Sequence, residues 1–287
     1  MIFRLLPVLM LVLTSFSLPT DCAAEKPVVN FGIALRYQPI KMYERFQPLM
    51  DYLSSETPYR FELKISRDYN ESLRLLAEGK TDIASLGGGA AMESMILYGA
   101  KPVVKPLNSE GNPTCRCVIV VLKRSRIYSL RDLKGKRIAL GYYHSTTGNL
   151  LSRALLARKG VTKATLVNLP NHEAVIRAVL KGEFEAGAVS DTALDQLIHY
   201  GLRVIARSES ISSAPLVARK GVDPVIVKSI IDALLKLEYS NPVHRKMMEG
   251  WDAEFKYGFT TASNADYSNL MRLYQTKSFG CGVGCHQ

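Results

Sequence analysis

Ser145, Thr146, Thr147 and Gly148 place three hydroxyls and a glycine in a row. Hydroxyls donate to oxygens, and glycine lets backbone come close to a ligand. The neighbours set the context. Lys136-Arg137-Ile138-Ala139-Leu140 reads as a strand. Leu150, Leu151, Ala154, Leu155 and Ala157 fall near helical spacing before a stop at Gly160. The hydroxyls therefore stand at a strand-to-helix turn. First-turn N–H groups have no intrahelical acceptor, and the positive end of the helix dipole lies there too, a pairing that suits an anion. A helix cap alone needs one hydroxyl, so three before a glycine favour a ligand loop. His144, just before them, could bond an anion oxygen or simply be structural.

The elements around this turn alternate. Val28 to Leu35 reads as a strand, Tyr43 to Leu53 as an amphipathic helix, Phe61 to Ile65 as a strand, and Tyr69 to Ala77 as a helix stopped by Gly79. Thr81 to Leu86 is a third strand, running into Gly87-Gly88-Gly89. The second half repeats the plan with strands at 138–140, 164–169 and 186–189 and helices between. Ala77-Glu78-Gly79-Lys80-Thr81-Asp82 is echoed by Leu180-Lys181-Gly182-Glu183-Phe184-Glu185. Strand and helix in alternation predict a doubly wound α/β architecture, here in two like-built lobes. Cys117–Leu122 and Ala214–Ala218 are apolar segments at the changes of pattern and are expected to link the lobes.

In such sheets ligands lie beyond the carboxyl ends of strands. Arg36–Pro39, Leu86–Ala90, His144–Gly148 and Ser190-Asp191 occupy those ends, and Asn171-His172-Glu173 opens a helix. Gly88 and Gly89 could offer backbone N–H groups to an anion or form only a permissive turn. Glu173 could meet a ligand or merely complement a helix dipole. Asp191 could do the same or cap a helix. No nucleophile elbow, His-Glu-x-x-His or Walker pattern is present, so an enzyme is not expected and no metal site is assigned.

The first residues, Arg4 followed by the apolar run Leu5–Leu18 and a small-residue end at Ala23-Ala24, predict a signal peptide over 1–24 and hence an exported, periplasmic protein. The formal net charge is +11. Basic residues are dispersed rather than interleaved with aromatics, which argues against nucleic acid and agrees with capture of a small anion.

Leu130-Arg131-Asp132-Leu133-Lys134-Gly135-Lys136-Arg137-Ile138-Ala139, then Ser145-Thr146-Thr147-Gly148, resembles the phosphonate-binding periplasmic proteins that serve ABC transporters. The resemblance implies a type II periplasmic binding fold with a two-strand hinge. Lobe one would comprise 25–115 and 217–287, and lobe two 116–216. It implies a phosphonate, phosphite or phosphate held between the lobes, a permease partner, a monomer and no required cofactor. It also points to Tyr37, to His172-Glu173-Ala174 (whose acid can meet a ligand amine) and to Asp191. Asn149 stands where relatives often carry an aromatic, and 86–90 lacks a Tyr that some use.

Five cysteines occur, four of them in the expected mature chain: Cys115, Cys117, Cys281 and Cys285. In an exported protein they can form disulfides. Cys281 and Cys285 with His286 stand one residue longer than a c-type haem attachment motif, leaving haem or a metal as other options. The alternative function is thus a sensory or redox periplasmic protein on the same fold, carrying a c-type haem.

Overall fold

The structure is a computed structural model that describes residues 25–195 and 201–278. Residues 1–24, where a signal peptide is expected, and Cys281, Cys285 and His286 lie outside the described residues. In the first half, β1 (Val28–Ala34), β2 (Arg60–Ser66), β3 (Ile83–Ser85) and β4 (Lys101–Pro106) alternate with α1 (Pro39–Glu56), α2 (Tyr69–Ala77) and α3 (Gly87–Tyr98). A two-residue strand β5 (Thr114–Cys115) precedes β6 (Cys117–Leu122), β7 (Arg137–Leu140), α4 (Leu151–Arg158), β8 (Thr165–Asn168), α5 (His172–Leu180), β9 (Ala186–Ser190) and α6 (Asp191–Asp195). The chain closes with β10 (Leu202–Arg207), β11 (Ile211–Ser212), β12 (Leu216–Ala218), α7 (Pro224–Leu235), α8 (Pro242–Met248), β13 (Phe259–Thr261) and α9 (Ser268–Ser278).

Two sheets result. The first has six strands in the order β13-β4-β12-β3-β1-β2, and the second five in the order β10-β6-β9-β7-β8. Within each, the strands that lead into cleft loops run parallel: β1 with β2 and β3, and β7 with β8 and β9. Their loops therefore leave at one end of the sheet, as βαβ winding requires. Each sheet is covered on both sides. Helix α1 presents Met42, Phe46, Leu49, Met50 and Leu53 to the first, a stripe at helical spacing. On the other side, α3 contributes Ala90, Ala91 and Met95 to a cluster with Leu73 and Leu76 of α2.

The crossing between the sheets is shorter than the sequence implied. Cys117–Leu122 is not a linker but β6, paired on both sides by β9 and β10. Leu216–Ala218 likewise sits between β3 and β4. Both are apolar runs buried from end to end or nearly so, which suits interior strands. The chain crosses instead through β5 and β11, an antiparallel ribbon pairing Cys115 with Ile211 and Thr114 with Ser212. Strand β13, from the last fifth of the chain, returns to edge the first sheet beside β4.

Candidate functional site

A cleft of about 510 Å³ lies between the two sheets. Its lining comes from the carboxyl ends of β1, β3, β7 and β9 and from the loop beyond β8, joined by the crossover ribbon and by 252–256. Tyr37, Gly88, His144, Ser145, Thr146, Thr147, His172 and Glu173 all line it. Gly89, Gly148 and Asp191 lie outside the lining.

The hydroxyl turn is a π-helical turn over Thr146–Leu150 that continues into α4. Ser145 caps it, its Oγ accepting from Gly148 N at 3.0 Å. The same Oγ lies 3.4 Å from His172 Nε2. A side chain on Gly148 would meet His172 Cε1 at 2.8 Å, so the glycine makes room for the imidazole. Helix α5 is capped by Asn171, whose Oδ1 accepts from Ala174 N at 2.8 Å. This cap fixes His172 at the helix start. Burial, reinforced by the nearby Arg36 charge, pushes the His172 pKa down to about 4. The imidazole is therefore neutral at pH 7, and its Nδ1 is buried without a hydrogen-bond partner.

The opposite wall is built on charge. Arg36, at the end of β1, donates from Nη1 to Glu254 and from Nη2 to Ser85 Oγ at 2.9 Å, and Asp252 lies 3.9 Å away. Burial works against this charge, but Glu254, Tyr69 and Asp252 outweigh it and hold the guanidinium above its ordinary pKa. Its Nε is buried without a partner. Tyr37 donates its hydroxyl to Asp252 at 2.8 Å. Burial and then that carboxylate push the phenol well above its usual range. Glu173 accepts from Arg177 at 2.5 Å and lies 3.8 Å from Lys41.

The lobes touch across the mouth. A Cβ on Gly88 would sit 2.5 Å from Thr146 Oγ1, and one on Gly89 only 1.7 Å from the carbonyl oxygen of His144. Both glycines are there because the facing loop presses on them. Thr146 Oγ1 is 3.0 Å from the Tyr274 hydroxyl of α9. His144 Nδ1 lies 3.3 Å from Glu93, and Tyr142 stacks on Tyr69 at 5.1 Å. Asp191 pins the crossover, accepting from Arg116 N at 3.1 Å.

Sequence reasoning placed Arg36 only in the Arg36–Pro39 loop, with no role of its own, and missed Lys41, Tyr69, Asp252, Glu254 and Tyr274. Arg36 had one signal, its place beside Tyr37 at a strand end. The others had none, since their partners are remote in the chain. The disulfide expectation is not supported. Among the described residues Cys115 and Cys117 form no disulfide, and Cys281 and Cys285 lie outside those residues. Cys117 is fully buried on β6, with Sγ 3.1 Å from Ser152 Oγ. Burial raises both thiols, Cys117 to about 11. Among the described residues no cluster suits a metal ion, and no helix is long and apolar enough to cross a membrane.

Known proteins resemble this chain. The phosphonates-binding periplasmic protein of Escherichia coli K12 is 23% identical over 248 residues, covering 81% of this chain and 73% of that one. The phosphate-import protein PhnD of Mycolicibacterium smegmatis is 23% identical over 259 residues, covering 79% of each. Among solved structures, PhnD1 of Prochlorococcus marinus in complex with methylphosphonate superposes with a TM-score of 0.77 at 17% identity, over 88% of this chain and 99% of that one. A binding-protein component of a Pseudomonas aeruginosa ABC phosphonate transporter gives 0.76 at 21%, covering 91% of each. Residues 31–267 match the family described as "ABC transporter, phosphonate, periplasmic substrate-binding protein". Two sheets facing one cleft and a match over most of the chain agree: the protein belongs to the phosphonate ABC-transporter periplasmic substrate-binding family.

Proposed function

We propose that this protein captures a small tetrahedral oxyanion (phosphonate, phosphite or phosphate) between its lobes and delivers it to an ABC permease. The observation that carries this reading is the capped hydroxyl turn, Ser145 to Gly148, facing a half-buried neutral His172 and a half-buried charged Arg36, each with one buried nitrogen left without a partner. An anion taken from water into a closed cleft needs several donors. The Thr147 hydroxyl, the first-turn N–H groups and His172, oriented by Ser145, supply them from lobe two, and Arg36 faces them from lobe one beside Tyr37, whose hydroxyl is given to Asp252. Gly88, Gly89 and Gly148 set how near the two walls come. Thr146 bonds Tyr274 and serves closure as much as the ligand.

In this reading the segments 25–115 with 217–287 and 116–216 move as two units about the β5–β11 ribbon, with Asp191 steadying its lobe-two side. The chain acts as a monomer in the periplasm after removal of residues 1–24, and it needs no cofactor. The permease is its macromolecular partner. The similarity to a methylphosphonate complex and to a phosphate-import protein supports the ligand class. Calorimetric titration with phosphate, phosphite and methylphosphonate tests it. At least one is expected to bind and to reduce the radius of gyration in solution scattering. No binding by any of the three overturns the reading.

A further inference from the structure

Every carboxylate that lines the cleft is already engaged by the protein. Asp252 accepts from Tyr37 at 2.8 Å and from Glu254 N at 3.1 Å, and lies 3.9 Å from Arg36. Glu254 takes Arg36 Nη1. Glu173 takes Arg177 at 2.5 Å and faces Lys41 at 3.8 Å across the mouth. These are the acids among the lining residues. A ligand ammonium would have to compete with a guanidinium or an internal lysine for each of them.

The donors are in the opposite position. Arg36 Nε and His172 Nδ1 are both buried, both without a partner, and both on residues that line the cleft. An arginine Nε can only donate. Ser145 Oγ accepts from Gly148 N and can give its one hydrogen to His172 Nε2, 3.4 Å away. In that arrangement Nδ1 carries the imidazole proton and is a donor too. Lys256 lines the same cleft and has no carboxylate partner among the described residues. Ser212 Oγ, also buried without a partner in the lining, can donate or accept, but every carboxylate is engaged; buried donors left unmade are costly, so the cleft is short of anionic acceptors. Its volume, about 510 Å³, also leaves room beside a tetrahedral head group.

We infer that the cleft selects an oxyanion whose second functional group is itself an anionic acceptor, such as a phosphonocarboxylate, and discriminates against aminoalkylphosphonates. This rests on the oxyanion reading above. Arg36 is the residue that sets the preference, with Lys256 adding to it. The acid at Glu173, which the family resemblance offers to a ligand amine, is spent on Arg177 and Lys41.

Titrating the mature protein calorimetrically with methylphosphonate, phosphonoacetate and 2-aminoethylphosphonate at pH 7.5 tests the inference. Phosphonoacetate is expected to bind about tenfold or more tighter than 2-aminoethylphosphonate, the size of one charge-assisted hydrogen bond. Arg36→Gln should shrink that ratio several-fold, with folding checked by thermal melting. If Arg36→Gln does not fold, the wild-type ranking decides alone. Methylphosphonate binding together with an equal or tighter fit for 2-aminoethylphosphonate overturns the inference and leaves the oxyanion reading standing. Binding of none of the three, nor of inorganic phosphate, overturns both.

Discussion

The two walls of the cleft solve the same problem differently. The lobe-two wall uses dipoles: a capped helix start, hydroxyls and a neutral imidazole. Its polar groups come from one short turn and the start of α5, and Ser145 and His172 stand 27 residues apart. The lobe-one wall uses full charges. Arg36 meets Glu254 from 218 positions away, and Tyr37 meets Asp252 from 215. Dipoles can be made by local backbone geometry, whereas a buried charge needs a partner wherever the fold can deliver one. On the proposed reading the first wall receives the anion with little rearrangement, and the second tunes which anion enters.

Breaking the contact between the walls should have the largest effect. Gly89→Val drives a side chain into the His144 carbonyl, which lies 1.7 Å from even a Cβ. Closure should fail, costing about 3 kcal/mol or more of binding, roughly a hundredfold. Solution scattering with saturating ligand is expected to show an open molecule. Ligand-induced compaction in this variant would mean the lobes do not meet at Gly89.

A moderate effect separates the walls by pH. His172 has a folded pKa of about 4, below its ordinary 6.5. The unfolded chain therefore binds more protons between those values. The stability from keeping this imidazole neutral is fully present above pH 6.5 and is lost as pH falls toward 4. Urea melts at pH 7.5 and pH 5 should differ more in the wild type than in His172→Gln. Equal differences in both proteins would remove the case for a buried neutral histidine. Arg36, held charged throughout, should add nothing to this window.

The smallest effect concerns the latch. Tyr274→Phe removes the hydroxyl that meets Thr146 at 3.0 Å, one neutral hydrogen bond worth about 1 kcal/mol. Affinity should fall about fivefold, with the order of preference among ligands unchanged. A changed order would move Tyr274 from closure into ligand contact.

The contrast between the walls is also the contrast in what could be read. The turn at Ser145–Gly148 and the helix start at His172 were legible because their chemistry and their supporting cap are contiguous in sequence. Alternating apolar strands and glycine-stopped helices made the two-lobed α/β plan legible for the same reason. Cys117–Leu122 misled because a six-residue apolar run looks the same whether it crosses between lobes or lies inside a sheet; only its neighbours β9 and β10 decide. Strand β13 escaped notice, being three residues that pair with β4 from far along the chain. Asp252 and Glu254 carry no local mark of a site. Their role follows from Arg36, which no spacing rule connects to them.

The central claim is that the hydroxyl turn holds the oxyanion. Replacing Ser145 and Thr147 together by Ala is the most direct test, because Thr146 is bonded to Tyr274 and would confuse closure with contact. The measurement is calorimetric affinity for the tightest-binding oxyanion, with thermal melting beside it. Losing the Thr147 bond to a charged ligand and the Ser145 hydroxyl that orients the His172 donor should cost on the order of 3 kcal/mol or more, at least about a hundredfold, while the melting temperature of the free protein moves by a few degrees. An affinity within about twofold of wild type, in a folded double variant, contradicts the account.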